Sequence, residues 1–319
     1  MKRKLLATVL CFALTAAVFA GCSDTDSSSV ESVSDEQTEE FSYPLTLTDA
    51  YGNEVTVEAE PETVVSVSPA LTEIIYAVGG EDKLIGRSDY CDYPPEVLDI
   101  QSVGPIDLPD TELIVSLNPD VVLASSNFSE EAYNALTDAG ITVVIVKDET
   151  SLEGMIYTVQ TVADVIGMHD EGEDLAMGLS DEIAEVYDEA LETIADDNIT
   201  VYYCMSYGEY GDYTAGGDTF INDIIKYAGC VNAAEDIEGW SISTEELLDL
   251  DPYIFLVPDW GYDAFLETEP YTELTAVQQG RVLAVDANIF ERVGPRNADA
   301  VRTVYEFAVD ANAVAHAGA

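Results

Sequence analysis

The chain has 319 residues, long enough for two domains with cores of their own, and carries 63 Asp and Glu against 11 Lys and Arg. Three of the cations are Lys2, Arg3 and Lys4, so only eight serve the rest of the chain. Nucleic acid and anionic membrane surfaces both repel such a polyanion, which excludes them as partners. The only two histidines, His169 and His316, lie far apart, so no zinc or manganese centre of clustered His and carboxylate is expected.

Residues 1–21 combine the basic start, an apolar run from Leu5 to Phe19, and small residues ahead of Cys22. That pattern predicts a secretory signal peptide, and fifteen apolar residues are short for a membrane span. Residues 22–42 are rich in Ser and acid with almost nothing to bury, and are expected to form a disordered tether. Beyond Cys11 and Cys22 there remain Cys91, Cys204 and Cys230. Three thiols are no disulfide scaffold; a Cys204–Cys230 bond and three free thiols both stay open.

From Tyr43 onward strand and helix alternate. A hairpin is expected where Leu45–Asp49 and Glu54–Glu58 flank Tyr51-Gly52-Asn53. A strand at Thr63–Val67 leads through a Ser68-Pro69 turn to a helix at Thr72–Val78, and Leu84 opens the next strand. Val121–Ala124 reads as a strand, Glu130–Ala139 as a helix, Ile141–Val146 as a strand and Leu152–Ile166 as a helix. Leu175, Leu179, Ile183, Val186, Ala190 and Ile194 then recur at helical spacing among acids. They predict one amphipathic helix from about Glu171 to Ala195, roughly 38 Å long. A second alternation follows, with strands at Thr200–Met205, Tyr253–Val257 and Val282–Val285 and helices at Asp218–Ala228 and Asp299–Ala311. The fold class is therefore α/β: two Rossmann-like lobes with central sheets, residues 43–168 and 198–319, joined by one long helical connector, 169–197. A ligand cleft belongs between the lobes at the carboxyl ends of the strands, and a single rigid connector implies modest closure.

One pattern occurs twice, 133 residues apart. Glu112-Leu-Ile-Val-Ser-Leu-Asn-Pro119-Asp-Val-Val-Leu123 is matched by Glu245-Glu-Leu-Leu-Asp-Leu-Asp-Pro252-Tyr-Ile-Phe-Leu256. Each reads as a short helix, a proline that stops it, and a buried strand. The two glutamates are open to two readings: acids favoured by the helix dipole, or a matched pair facing a common partner. Glu246, three after Ser243, has capping-box spacing and is assigned to structure.

Longer motifs add a resemblance. They are Val64-Val-Ser-Val-Ser-Pro-Ala-Leu-Thr-Glu73, Asp89-Tyr-Cys-Asp-Tyr-Pro-Pro-Glu96, Val103-Gly104 and Leu117-Asn-Pro-Asp-Val-Val-Leu123 in the first half. The second half holds Thr214-Ala-Gly-Gly-Asp218, Gly229 and Phe290-Glu-Arg-Val-Gly-Pro-Arg296. In order and spacing these resemble the helix-linked (class III) substrate-binding proteins of ABC importers for vitamin B12, ferric siderophores and haem. The resemblance implies a lipobox at the end of the signal, with cleavage before Cys22 and diacylation of its thiol. It also implies that Glu112 and Glu245 dock on arginines of the permease transmembrane subunits. Two such points would fix orientation and steer encounter more than they add affinity.

For cargo, a large metal chelate needs aromatic walls and a few polar handles. Tyr90, Tyr207, Tyr213, Trp240 and Trp260 lie in predicted loops near strand ends. Pro69 belongs to a motif shared with the whole family, while Tyr90 and Arg292 belong to motifs most similar to the B12-binding branch, which favours a corrinoid. Two positions depart from that branch: Asn288 stands where it has an aspartate, and no tryptophan lies near Ile106–Leu108. Arg292 and Arg296 suit an anion such as a ferric catecholate, a haem propionate or a corrinoid phosphate. No protein-held cofactor is expected, since the chelate is cargo. Nor is catalysis, because Gly-x-Ser-x-Gly, His-Glu-x-x-His and phosphate-loop patterns are missing from the sequence. The expected protein is a monomeric extracytoplasmic receptor, attached to the membrane through its N-terminal lipid alone.

Overall fold

The computed structural model describes residues 41–194 and 197–317. The predicted signal, Cys22 and all but the last two residues of the tether lie outside that range, as do residues 195 and 196 of the predicted connector.

A hairpin of β1 (Leu45–Thr48) and β2 (Glu54–Val57), with Leu45 opposite Val57, opens the first lobe. Next come β3 (Val64–Ser66), α1 (Pro69–Ala77), β4 (Leu84–Arg87), α2 (Thr111–Leu117) and β5 (Val121–Ser125), then α3 (Glu130–Asp138), β6 (Thr142–Val146) and α4 (Leu152–Ile166). The four strands form a parallel sheet in the order β4-β3-β5-β6. Helix α1 begins at Pro69, not Thr72, because Ser68 takes the extended cap position and proline is pre-set for the first helical turn. The connector α5 runs His169–Thr193, two residues ahead of its predicted bounds.

The second lobe contains β7 (Thr200–Ser206), β8 (Asp212–Thr214), α6 (Phe220–Tyr227), β9 (Val231–Asn232), β10 (Ser241–Ile242) and α7 (Thr244–Leu250). It ends with β11 (Ile254–Pro258), α8 (Tyr262–Glu267), α9 (Thr275–Gln278), β12 (Val282–Val285), α10 (Ala287–Glu291) and α11 (Asn297–Ala317). Its parallel strands lie in the order β9-β7-β11-β12. Numbered within each lobe, both sheets therefore read 2-1-3-4. Strands β8 and β10 extend the second sheet antiparallel from the far end of β7; at two and three residues they are too short to have a sequence period.

Both sheets are covered on both faces, and consecutive side chains alternate between cores. Val121 and Leu123 point into the core shared with α1 and α4, while Val122 and Ala124 point to the side of α2 and α3. On β11, Ile254 and Leu256 join the shared core, and Phe255 and Val257 pack with Phe265 and Tyr271. The buried stripe of α5 (Gly172, Ala176, Leu179, Ile183, Val186 and Ala190) is apolar, and its small ends let neighbours approach: a Cβ on Gly172 would lie 2.3 Å from Ala163 Cβ. The shared core takes in that stripe together with both lobes.

The three cysteines are buried and free. Burial pushes the Cys204 and Cys230 thiols up to about 12, which makes them poor nucleophiles.

Candidate functional site

A cavity of about 660 Å³ opens between the lobes. The first lobe supplies the loops that follow β3 (Ser68, Pro69), β4 (Tyr90), β5 (Ser125, Asn127) and β6 (Lys147 to Thr150). From the second lobe come Asp218 to Phe220, Trp240, and, at α10, Asn288 and Glu291 to Val293. Loops at strand carboxyl ends gather here because every parallel strand in a lobe points the same way.

Local backbone chemistry places these groups. In Thr214-Ala-Gly-Gly-Asp218 the two glycines pass so near the 235–239 loop that a Cβ on Gly217 would lie 2.1 Å from the Glu235 carbonyl oxygen. That close approach delivers Asp218 and the capping Thr219 to the cavity wall. Glu291 accepts a hydrogen bond from the Tyr203 hydroxyl at 3.0 Å. Burial pushes its carboxyl above the usual range, against the lowering pull of that hydroxyl and of Arg292. Asp148 lines the cavity; desolvation pushes its carboxyl up likewise, opposed by Ser126.

Four of the eight predicted ligand residues, Pro69, Tyr90, Trp240 and Arg292, come together around this space. The other four do not. Tyr207 turns into its own lobe, where its hydroxyl donates to Gly261 O at 2.7 Å and its ring packs edge-on against Phe265 and Tyr271. Tyr213 sits on β8 opposite Ser241, and Trp260 stands on the turn after β11, 72 % exposed; neither lines the cavity. Arg296 is also withdrawn from it. Its Nε and Nη2 donate to the two oxygens of Glu73 at 2.7 and 2.6 Å, and its guanidinium lies 4.1 Å from the Tyr93 ring centroid.

Glu73 was not singled out by sequence. It lies on α1, is 5 % exposed, and also receives Arg292 Nη1 at 2.8 Å. Arg292 reaches Asp92 at 2.7 Å as well. Burial alone would lower the pKa of both guanidiniums. The hydrogen bonds that Arg292 donates to Asp92 and Glu73, and Arg296 to Glu73, more than reverse this and raise both. One buried carboxylate of the first lobe thus clamps two arginines of the second, and only Arg292 also faces the cavity.

The repeated glutamates occupy matching places. Glu112 is the second residue of α2 and Glu245 the second of α7; both are exposed, and neither forms an ion pair with another described residue. Both helices have seven residues and a capped start, by Asp110 and Ser243, and end on a left-handed residue, Asn118 (φ 51°) or Asp251 (φ 36°). Each leads into the third strand of its 2-1-3-4 sheet. The start of α2 is pinned where Asp110 N–H donates to Val103 O and Val103 N–H to Arg87 O, both 2.8 Å, at the end of β4. The start of α7 follows β10, which pairs with β8 at the end of β7. Both glutamates therefore lie toward the carboxyl ends of their sheets, the side on which the cavity opens. Glu246 closes a capping box with Ser243, as its spacing predicts. Ser243→Ala is expected to cost about 1 kcal/mol, seen as a lower urea midpoint at unchanged slope.

Among the described residues no three His, Cys, Asp or Glu gather to hold a metal ion, and no helix is long and apolar enough to cross a membrane.

A family model described as periplasmic binding protein matches residues 64–289. The chain is 32 % identical over 298 residues to a protein named uncharacterized ABC transporter substrate-binding lipoprotein YvrC, from Bacillus subtilis, covering 92 % of this chain and 93 % of that one. A cobalamin-binding protein of Halobacterium salinarum is 28 % identical over 268 residues, 80 % of this chain and 71 % of its own. Among solved structures, the periplasmic heme-binding protein RhuT of Roseiflexus sp. RS-1, in apo form, superposes with a TM-score of 0.71 at 28 % identity, covering 78 % of this chain and 98 % of that one.

Proposed function

We propose, for a chain that belongs to the periplasmic binding protein family, the role of an extracytoplasmic receptor that captures a corrinoid-type metal chelate and hands it to an ABC permease. The observation that carries this reading is the cavity between two lobes of the same strand order, rimmed by Tyr90 and Trp240 and edged by polar groups. Its volume falls within the ~300–1,000 Å³ typical of small-molecule sites. Relatives named for cobalamin binding favour a corrinoid over other chelates. Pro69, Tyr90, Trp240 and Arg292 are the proposed cargo contacts. Glu112 and Glu245 are the proposed permease contacts, and Cys22 the proposed point of lipid attachment, in keeping with a relative named as a lipoprotein. In such a role the protein binds and releases cargo unchanged.

Titration of the purified protein with cyanocobalamin, cobinamide, ferric siderophores and haemin tests the reading. At least one corrinoid is expected to bind below about 10 μM, a free energy of ~7 kcal/mol. If haemin or a siderophore binds and no corrinoid does, the cargo is reassigned; if none binds, the receptor role falls.

A further inference from the structure

The wall of the interlobe cavity holds more acid than base. Its two cations are Lys147 and Arg292. Both are already met: Lys147 Nζ lies 3.0 Å from Glu149, and Arg292 bonds Glu73 and Asp92. Three more carboxylates face the space, Asp148, Asp218 and Glu291, and none forms an ion pair with another described residue. Asp218 accepts only the Gly239 N–H at 2.8 Å, and Glu291 the Tyr203 hydroxyl. Arg296, the remaining cation at this junction, is turned away to Glu73. The anion-binding role that the sequence suggests for the two arginines is therefore taken within the protein, by carboxylates of the first lobe.

We propose, on the premise that this cavity is the cargo site, that the receptor selects chelates of zero or positive net charge whose rim carries hydrogen-bond donors, and turns away polyanionic chelates. A ligand carboxylate, phosphate or catecholate would have to draw Arg292 from two partners, one of them almost fully buried. It would then lie beside three exposed carboxylates, whose repulsion of a like charge is felt across the cavity and screened by salt. A rim of primary amides meets the same three carboxylates with N–H donors, the stronger kind of hydrogen bond because the acceptor is charged. Carboxylates already raised by desolvation gain from a nearby donor or cation and lose from a nearby anion. At longer range, a chain of net charge −52 repels polyanions before they arrive.

The test compares ligands of one shape and different charge. Calorimetric titrations at low and high salt would use cyanocobalamin, whose corrin side chains end in amides, and its mono- and dicarboxylic acid derivatives. Each added negative charge is expected to weaken binding about tenfold at low salt, with the gap narrowing at high salt. The same gap should shrink in Asp148→Asn and Asp218→Asn. Equal or tighter binding of the acids would overturn the charge selection and leave the receptor role standing. Failure of every corrinoid to bind would reassign the cargo and remove the selection with it.

Discussion

Glu73→Gln is expected to destabilise the protein by about 3–5 kcal/mol, the range for removing one member of a buried ion pair. The substitution keeps the volume of the side chain and removes its charge. It leaves two guanidiniums, 15 % and 14 % exposed, facing each other without the carboxylate that accepts three of their hydrogen bonds. Asp92 and Asp286 approach the same arginines but are half open to water, so screening limits what they can compensate. The measurement is equilibrium urea unfolding, with the midpoint falling at unchanged slope. Because Glu73 is on one lobe and both arginines are on the other, the damage should also be visible as a wider lobe separation in small-angle scattering. Adding Arg296→Met to Glu73→Gln removes one of the stranded charges and should recover part of the loss, a coupling expected of residues in direct contact. An unchanged midpoint in the single variant would mean that the clamp does not hold the junction.

The second large effect concerns delivery. Replacing both Glu112 and Glu245 by Ala is expected to reduce cargo uptake about 100-fold, near tenfold for each lost contact, while the affinity for cargo stays unchanged. Both side chains are exposed and lie outside the cavity, so their removal leaves the cargo wall intact. Labelled-corrinoid uptake in cells and stimulation of a reconstituted importer's ATPase are the readouts. The single variants should each show a partial loss, as two separated rim charges act nearly independently. A drop in cargo affinity with unchanged uptake at saturation would place the glutamates in the wrong part of the molecule.

Much of the architecture was legible because it rests on short-range periodicity. The acidic helix with its apolar stripe, the β-branched strands and the Asn118-Pro119 and Asp251-Pro252 helix stops are local signals, and the elements formed there lie within about two residues of expectation. The repeat carried more than local information: it placed both short helices before the third strand of like-ordered sheets. What stayed hidden depends on partners far away in sequence. Arg296 reads as a ligand handle until Glu73 is seen 223 residues away, and one buried carboxylate among 63 has no sequence mark. Tyr207 and Trp260 both sit beside strand ends. Whether such a ring turns into the lobe, as Tyr207 does, or into water, as Trp260 does, is decided by Phe265 and Tyr271, not by its neighbours in the chain. Lys147 and Asp148 carry a single sequence signal, that they directly follow a predicted strand.

The core that continues from one lobe through α5 into the other has a consequence for how cargo is handled. Lobes that share buried residues such as Val144, Ile183 and Leu256 in one cluster have no separate melting of their own, so heat should dissolve the molecule in a single transition. The slot between them should then change width only modestly at capture, as a single rigid connector implies. In the proposed role, the work of opening that slot would fall to the partner that meets Glu112 and Glu245.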